Sequence, residues 1–564
     1  MVRQAKQIPD WLLLGGISAV AYMLFLGAPP LFDWDEINFA ESAREMIVTG
    51  NYFQVQINYK PFWEKPPLFF WMQVFCMRIF GVNEFAARLP NAIVGVGTIL
   101  TLFHYGRQLK NQAFGRILAL LYLGTMLPFI YFKSGIIDPV FNLFIFLGLY
   151  HLLRFEQLYK LHPDRAMHCE HPWTAGTWVG LATLTKGPVA LLVTMLTYFL
   201  YKLIYDRLRI PIRPALKFFG MWAGWVFVWY GLETAIHGPW FLEEFIKYQI
   251  DLFSNPVAGH EQPFYYHFVV FLLGCFPLSA FTFRAMGLKN LGETQMITKR
   301  FMMVWFWVVL ILFSVATTKI VHYSSMLYFS GVFLSALYLY EFARGKRELH
   351  WEMYAILGLG IFVWGGLPSL INLVENNLPL IQGMLKDPMA VASMSVEVHW
   401  TGYEWVISAI FLLGLIWNLQ QLRSRKVIVF LWFQVLFASL FINPTYKWIV
   451  PKVALYTQGA PQAFFSKLAT EDVYLATAYK SYLPYFYGRV RLSENPKAQD
   501  LQWLREGEID KDVYLAAKVI QIDDYFRSNY RQFEQLYEEG GYVFFRRRAP
   551  VQRFGEVSNP LSTH

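Results

Sequence analysis

Apolar runs of about 17 to 25 residues recur from Trp11 to Ile442, each long enough to cross a roughly 30 Å hydrocarbon layer as a helix. A backbone in that layer has no water to satisfy it, so helices that close their own hydrogen bonds are the available solution. The rest of the chain agrees: 55% of residues are hydrophobic and only 16% charged, where an average soluble domain carries roughly 25%. The expectation is a mostly α, polytopic membrane protein. The first run, 11–30, is followed by many more spans and by no A-x-A-like cleavage site, so it reads as a retained helix rather than a signal peptide.

Setting apolar runs against helix breakers places candidate spans near 11–30, 90–106, 116–133, 138–155, 172–185, 188–205, 217–233, 265–283, 301–316, 321–341, 352–373, 403–420 and 426–442. That is about thirteen crossings. Lys and Arg gather in alternate loops, at Arg3 and Lys6, Arg107 to Arg116, Arg207 to Lys217, Arg284 to Arg300, Arg344 to Arg347 and Arg423 to Lys426. Short cytoplasmic loops carry such an excess, so the N-terminus is expected in the cytoplasm and the C-terminus outside. The apolar segment 66–82 would break this alternation as a span and is read as an interfacial or re-entrant helix. Residues 33–89 then form one long exoplasmic loop within a membrane domain of residues 1–442.

From about Asn443 the hydropathy becomes mixed. Short β-type runs, Val473 to Ala476, Val513 to Ala516 and Tyr542 to Phe545, alternate with helix-like stretches, which predicts a small exoplasmic α/β domain over 443–564. Cys76, Cys169 and Cys275 lie far apart and indicate neither a disulfide framework nor a Cys-rich metal site. The net charge of +9 falls mainly in the short loops, so it reports membrane orientation and no nucleic-acid partner.

Against this background the ionisable residues on the expected outer side stand out. Asp35 and Glu36 follow the first span beside Trp34, where partial burial would fit Asp35 to accept a proton from an attacking hydroxyl. Glu41, Arg44 and Glu45 come next, expected on the solvated face of a surface-lying helix from Asn38 to Ile47. Glu64-Lys65-Pro66-Pro67 is a charged pair pinned by prolines, and Lys65 is either a surface anchor or a cation for a phosphate. Asp138 stands before Pro139 at the mouth of the fourth span, either as a helix cap or as a functional carboxylate. Lys186 and Lys319 occupy outer turns, the latter followed by His322 and Tyr323; snorkelling is one reading and a phosphate or pyrophosphate-like head group the other. The stretch from Gly259 to His267, including His260 and Tyr265, adds imidazole, carboxylate and aromatic faces suited to a sugar, though an interfacial tyrosine belt has the same appearance. Glu64 with His260 is a two-ligand candidate for a divalent metal without a spacing motif, so no cofactor is required by the sequence.

In this order the residues resemble the C-type glycosyltransferase superfamily, and within it the bacterial relatives of protein O-mannosyltransferases and of the lipid A aminoarabinose transferase. The matching features are Asp35-Glu36, Ala40 to Met46 followed by Gly50-Asn51-Tyr52, Glu64 to Leu68, Ala87-Arg88-Leu89-Pro90, Asp138, Leu184 to Pro188, and His260 through Tyr266. The resemblance implies an inverting transferase of the bacterial inner membrane that takes a sugar from a polyprenyl-phosphate carrier, with its site on the exoplasmic face and a lipid, glycan or protein as acceptor. It implies that Asp35 and Asp138 are the key acids and that Lys65, Lys186 and Lys319 bind phosphate. Glu36, Glu64, His260, Tyr265, His322 and Tyr323 would line the substrate cavity. Asn38 and Phe62 stand where the aminoarabinose transferases usually show an arginine and a tyrosine, so the resemblance supports the broader reaction class. A polyprenyl-lipid flippase is the alternative from another class; such proteins tend to keep ionisable groups at the membrane midplane.

Overall fold

The computed structural model describes residues 8–254, 262–522 and 532–550. The chain divides into two compact units, one of Met1–Leu31, Asn38–Asn376 and His399–Lys452, the other of Phe32–Ile37, Asn377–Val398 and Val453–His564.

The first unit is helical. Among the described residues five helices are long and apolar enough to cross a membrane: Glu84–Leu109, Glu293–Val315, Trp351–Asn376, Trp405–Arg423 and the run Val427–Lys467. A sixth candidate is a pair, Tyr266–Gly274 and Ser279–Met286, bent by 113° at the break between them. Shorter apolar helices include Asp10–Met23, Leu68–Phe80, Gln112–Leu123, Val189–Tyr205 and Leu327–Ala343. The expected run 116–133 is interrupted at Gly124 and Thr125, and resumes as Met126–Tyr131. Segment 66–82 forms the helix Leu68–Phe80, which buries Phe69, Phe70, Gln73 and Met77 and exposes Phe75, Ile79 and Phe80.

Sequence hydropathy changes at 442, but the helix does not stop there. Val427–Pro444 continues through a π-turn at Thr445–Ile449 and on to Lys467. Asn443, the first polar residue past the change, accepts a hydrogen bond from buried Lys133 at 2.9 Å, and Tyr446 donates to the Lys133 carbonyl. The first unit accordingly extends to Lys452, ten residues past the hydropathy change, while Phe32–Ile37 and Asn377–Val398 belong to the second unit.

That second unit holds a four-stranded sheet. Tyr474–Thr477 pairs in parallel with Val513–Lys518, which pairs antiparallel with Tyr542–Arg547, and Phe533–Glu539 closes the antiparallel edge with a bulge at Gln535/Tyr537. One face of the sheet buries Val513, Leu515, Val543 and Phe545 with Leu504 and Ile509. Three of these strands stand where the sequence shows β-type runs. The fourth has an exposed, acidic pattern, and as an edge strand it needs no two-sided apolar face.

Candidate active site

Asp138 opens the helix Asp138–Leu161, and Lys186 closes the helix His171–Lys186. An anion at a helix N-terminus and a cation at a helix C-terminus are each favoured by the dipole. The two ends meet: Lys186 Nζ lies 2.6 Å from Asp138 Oδ1. The alternative role of Asp138 as a helix cap is not what the structure shows, since no side chain caps this helix and the carboxylate is turned to Lys186. Gly187 follows with φ +101° and ψ −167°, a backbone state essentially reserved for glycine, and a Cβ there would lie 2.7 Å from Phe245 Cζ.

A third segment completes the cluster. The helix Glu293–Val315 leads into a loop carrying buried Thr318 and Lys319, then the 3-10 turn Val321–Ser324. His322 Nε2 lies 3.7 Å from Asp138 Oδ2, and Lys186 Nζ sits 4.9 Å from the Tyr323 ring centroid and 5.8 Å from that of Phe141. Consecutive residues of one turn thus touch the two members of the ion pair separately. Exposure is graded across the cluster, with the side chain of Asp138 at 2%, His322 at 13% and Lys186 at 16%. Below it, the fully buried Asn91 donates to the carbonyls of Ser134 at 2.7 Å and Ile136 at 2.6 Å, fixing the chain that enters Asp138.

Glu64 and Lys65 connect to this cluster through apolar packing. Trp63, Leu68 and Trp71 pack on the buried group Leu184, Trp229, Tyr230 and Phe245, which includes the residue two before Lys186 and the ring beneath Gly187. Lys65 Nζ lies 5.2 Å from the Tyr248 ring centroid. Tyr265 is exposed, at the start of the helix Tyr266–Val269. His260 lies outside the described residues; among those residues no group of three or more His, Cys, Asp or Glu could hold a metal ion. The three cysteines are free thiols.

Asp35 and Glu36 begin the helix Asp35–Thr49, with Asp35 half-buried and Glu36 buried; both are assigned to the second unit. Glu36 accepts from the Phe32 amide at 3.0 Å. Within the same unit Asp33 is the anchoring carboxylate, accepting from Ser481 Oγ at 2.5 Å and the Tyr482 amide at 3.0 Å.

The solvated helix face expected at Glu41, Arg44 and Glu45 is not observed. All three are buried. Arg44 makes a bidentate pair with Glu41, at 2.7 and 2.6 Å, and Glu45 accepts from the Tyr59 amide at 2.8 Å. Tyr59 sits with Asn58 in a hairpin turn at φ +55° and +52°, between the short strands Gln56–Ile57 and Lys60–Pro61. Burial, then the neighbouring Glu41 carboxylate, push the Glu45 carboxyl up to about 9. The helical spacing of these residues is visible in the sequence, but not that a hairpin closes over them. Asn142, Ser324 and Ser325, near the cluster, are not singled out by the sequence either, whereas His267 ends the stretch Gly259 to His267; the i+4 spacing of Asn142 from Asp138 is the one signal that points toward it.

The chain is similar to known proteins in part of its sequence and in its fold. Residues 64–228 match the dolichyl-phosphate-mannose-protein mannosyltransferase family. The fold matches that of ArnT from Cupriavidus metallidurans bound to undecaprenyl phosphate, with a TM-score of 0.72 and 16% identity over 95% of this chain and 97% of that one. Among curated relatives, the undecaprenyl phosphate-alpha-4-amino-4-deoxy-L-arabinose arabinosyl transferase of Shewanella sediminis is 27% identical over 54% of this chain and 54% of its own length. Enzyme 2 of that name from Proteus mirabilis is 27% identical over 65% of this chain and 66% of its own length. The chain thus spans about half to two thirds of the length of these relatives. The cluster of Asp138 and Lys186 falls within the matched family segment.

Proposed function

We propose that this protein is an inverting glycosyltransferase that moves a sugar from a polyprenyl-phosphate carrier to an acceptor on the exoplasmic side of the bacterial inner membrane. The single observation that carries the reading is the Asp138–Lys186 pair, with His322 and Tyr323 on either member. Lys186 is held by a buried carboxylate yet keeps part of its side chain accessible, which suits it to a phosphate that gains charge as the glycosidic bond breaks. The relatives' names support a polyprenyl-phosphate donor.

In the reaction the bond between the anomeric carbon and the carrier phosphate breaks as the acceptor oxygen attacks from the opposite face. The electron pair leaves with the polyprenyl phosphate, where Lys186, Lys319 and Lys65 offset its charge. Asp138 is engaged with Lys186 and orients the cations, which leaves proton acceptance from a hydroxyl acceptor to Asp35. A phosphate acceptor such as that of lipid A is already anionic, and Asp35 would then orient rather than deprotonate. Asn38 and Phe62 favour leaving the acceptor open among glycolipid, glycan and Ser/Thr. The topology that goes with this reading has about thirteen spans, a cytoplasmic N-terminus and an exoplasmic C-terminal unit.

The test is transfer of radiolabelled sugar by the purified protein from a panel of polyprenyl-phosphate sugars, with mass spectrometry of the products. Asp138→Asn and Asp35→Asn should abolish transfer while leaving folded protein. Full activity in both variants would refute the roles, and cysteine labelling of residues 35, 65 and 186 from the cytoplasmic side would reverse the topology.

A further inference from the structure

The turn that supplies His322 and Tyr323 is fastened from both sides by buried side chains outside the cluster. Ser324 and Ser325, both buried, close the turn. Asn142 Nδ2 donates to Ser325 Oγ at 2.7 Å, and that hydroxyl donates to the His322 carbonyl at 2.5 Å. Asn142 belongs to the helix that begins with Asp138, one turn further along, so the helix that bears the carboxylate also grips the turn that faces it. On the other side, Ser324 Oγ lies 2.9 Å from His267 Nδ1. His267 is fully buried. The partners the two serines leave unused, Asn142 Oδ1 and His267 Nε2, are buried without a hydrogen bond among the described residues. Buried polar groups are normally satisfied, and a polar atom left bare is costly.

We infer that Asn142 and His267 are positioning residues, a two-sided latch through Ser325 and Ser324 that sets His322 against Asp138 and Tyr323 against Lys186. The inference rests on the transferase reading of that cluster. A turn free to shift by an ångström would lengthen the His322 to Asp138 approach, already 3.7 Å, and uncover the face of Lys186 that Tyr323 shields. The latch acts through other groups and touches no substrate.

The test measures kcat and KM for the polyprenyl-phosphate sugar that the full-length protein uses. Asn142→Leu should lower kcat about tenfold with KM changed less than about twofold. The loss should be non-additive with that of His322→Ala, because without the imidazole the latch has less to position. His267→Phe should lose activity in the same way, and His267→Asn, whose amide overlays Nδ1, should restore most of it. Hydrogen exchange over residues 317–326 should quicken in Asn142→Leu and His267→Phe but not in His267→Asn. Losses that multiply independently with His322→Ala, or a His267→Asn variant as impaired as His267→Phe, overturn the latch and leave the transferase reading standing. If the wild-type protein transfers no sugar from any carrier, the transferase reading fails, and unchanged exchange in the variants would then refute the latch on its own terms.

Discussion

The helix Asp138–Leu161 carries two acid–lysine pairs, about 27 Å apart along its axis, and they are built differently. Near its far end Glu156 accepts from Tyr198 at 2.6 Å and from Lys202 at 3.1 and 3.2 Å, while Lys202 also pairs with Asp206. The Glu156 and Lys202 side chains are completely buried, and both carboxylate oxygens are in use. At the other end Asp138 gives one oxygen to Lys186, holds His322 at 3.7 Å by the other, and leaves Lys186 partly accessible. A saturated pair has little left to offer a ligand, which suits it to a structural role. An unsaturated pair at helix ends keeps charge in reserve. The contrast teaches that two buried lysine–acid pairs on one helix can differ in how completely their partners are used.

Neutralising one member of each pair breaks the comparison most directly. Asp138→Asn should reduce sugar transfer by about 100-fold or more, the scale of losing a positioned electrostatic partner, with little change in thermal unfolding. Lys202→Met should do the reverse, costing about 3 to 5 kcal/mol of stability by leaving Glu156 buried without its lysine. The double variant Lys202→Met/Glu156→Leu should recover most of that loss, measured by thermal unfolding in detergent. A stable, fully active Lys202→Met together with an unfolded Asp138→Asn would invert the assignment of the two pairs.

A smaller effect sharpens it. Gly187→Ala forces a side chain into a glycine-only conformation against Phe245 and should cost about 1 to 3 kcal/mol. Because Gly187 follows Lys186, the variant should also raise KM for the carrier, whereas a substitution beside Lys202 should not.

A separate expectation concerns the third buried group, Glu41–Arg44–Glu45. The Glu45 carboxyl titrates at about 9 in the folded protein against 4.5 ordinarily, so between those values the folded state holds a proton that the unfolded state has lost. Stability is therefore greatest below about pH 4.5 on this account and falls as pH rises toward 9. Glu45→Gln mimics the protonated form and should flatten that decline, with near-normal stability at pH 5 and a higher unfolding temperature than wild type at pH 8. A steeper decline in the variant would refute the neutral state of Glu45.

Much of this was legible in the chain. The apolar runs announced helices because a membrane-length stretch without polar residues has few other stable conformations. Asp138, Lys186, His322 and Tyr323 were identifiable as charges and rings recurring at the ends of those runs, and the structure gathers them. Burial of Glu41, Arg44 and Glu45 was not legible, since their i, i+3 and i+4 spacing suits a solvated face as well as a covered one. Nor was the helix continuing past 442, where polar side chains are tolerated because Lys133 and the π-turn meet them.

What the sequence determined by itself was the class of solvent the chain lives in, the helical solution that solvent imposes, and the short list of residues with chemistry to spare. Those follow from local composition and period. The tertiary structure alone decided which acid meets which cation, and how completely. Asp138 and Lys186 are 48 positions apart, and Asp138 and Glu156 lie on one helix with equivalent residue types nearby. Saturation depends on the three-dimensional count of donors around each oxygen, which no one-dimensional spacing records.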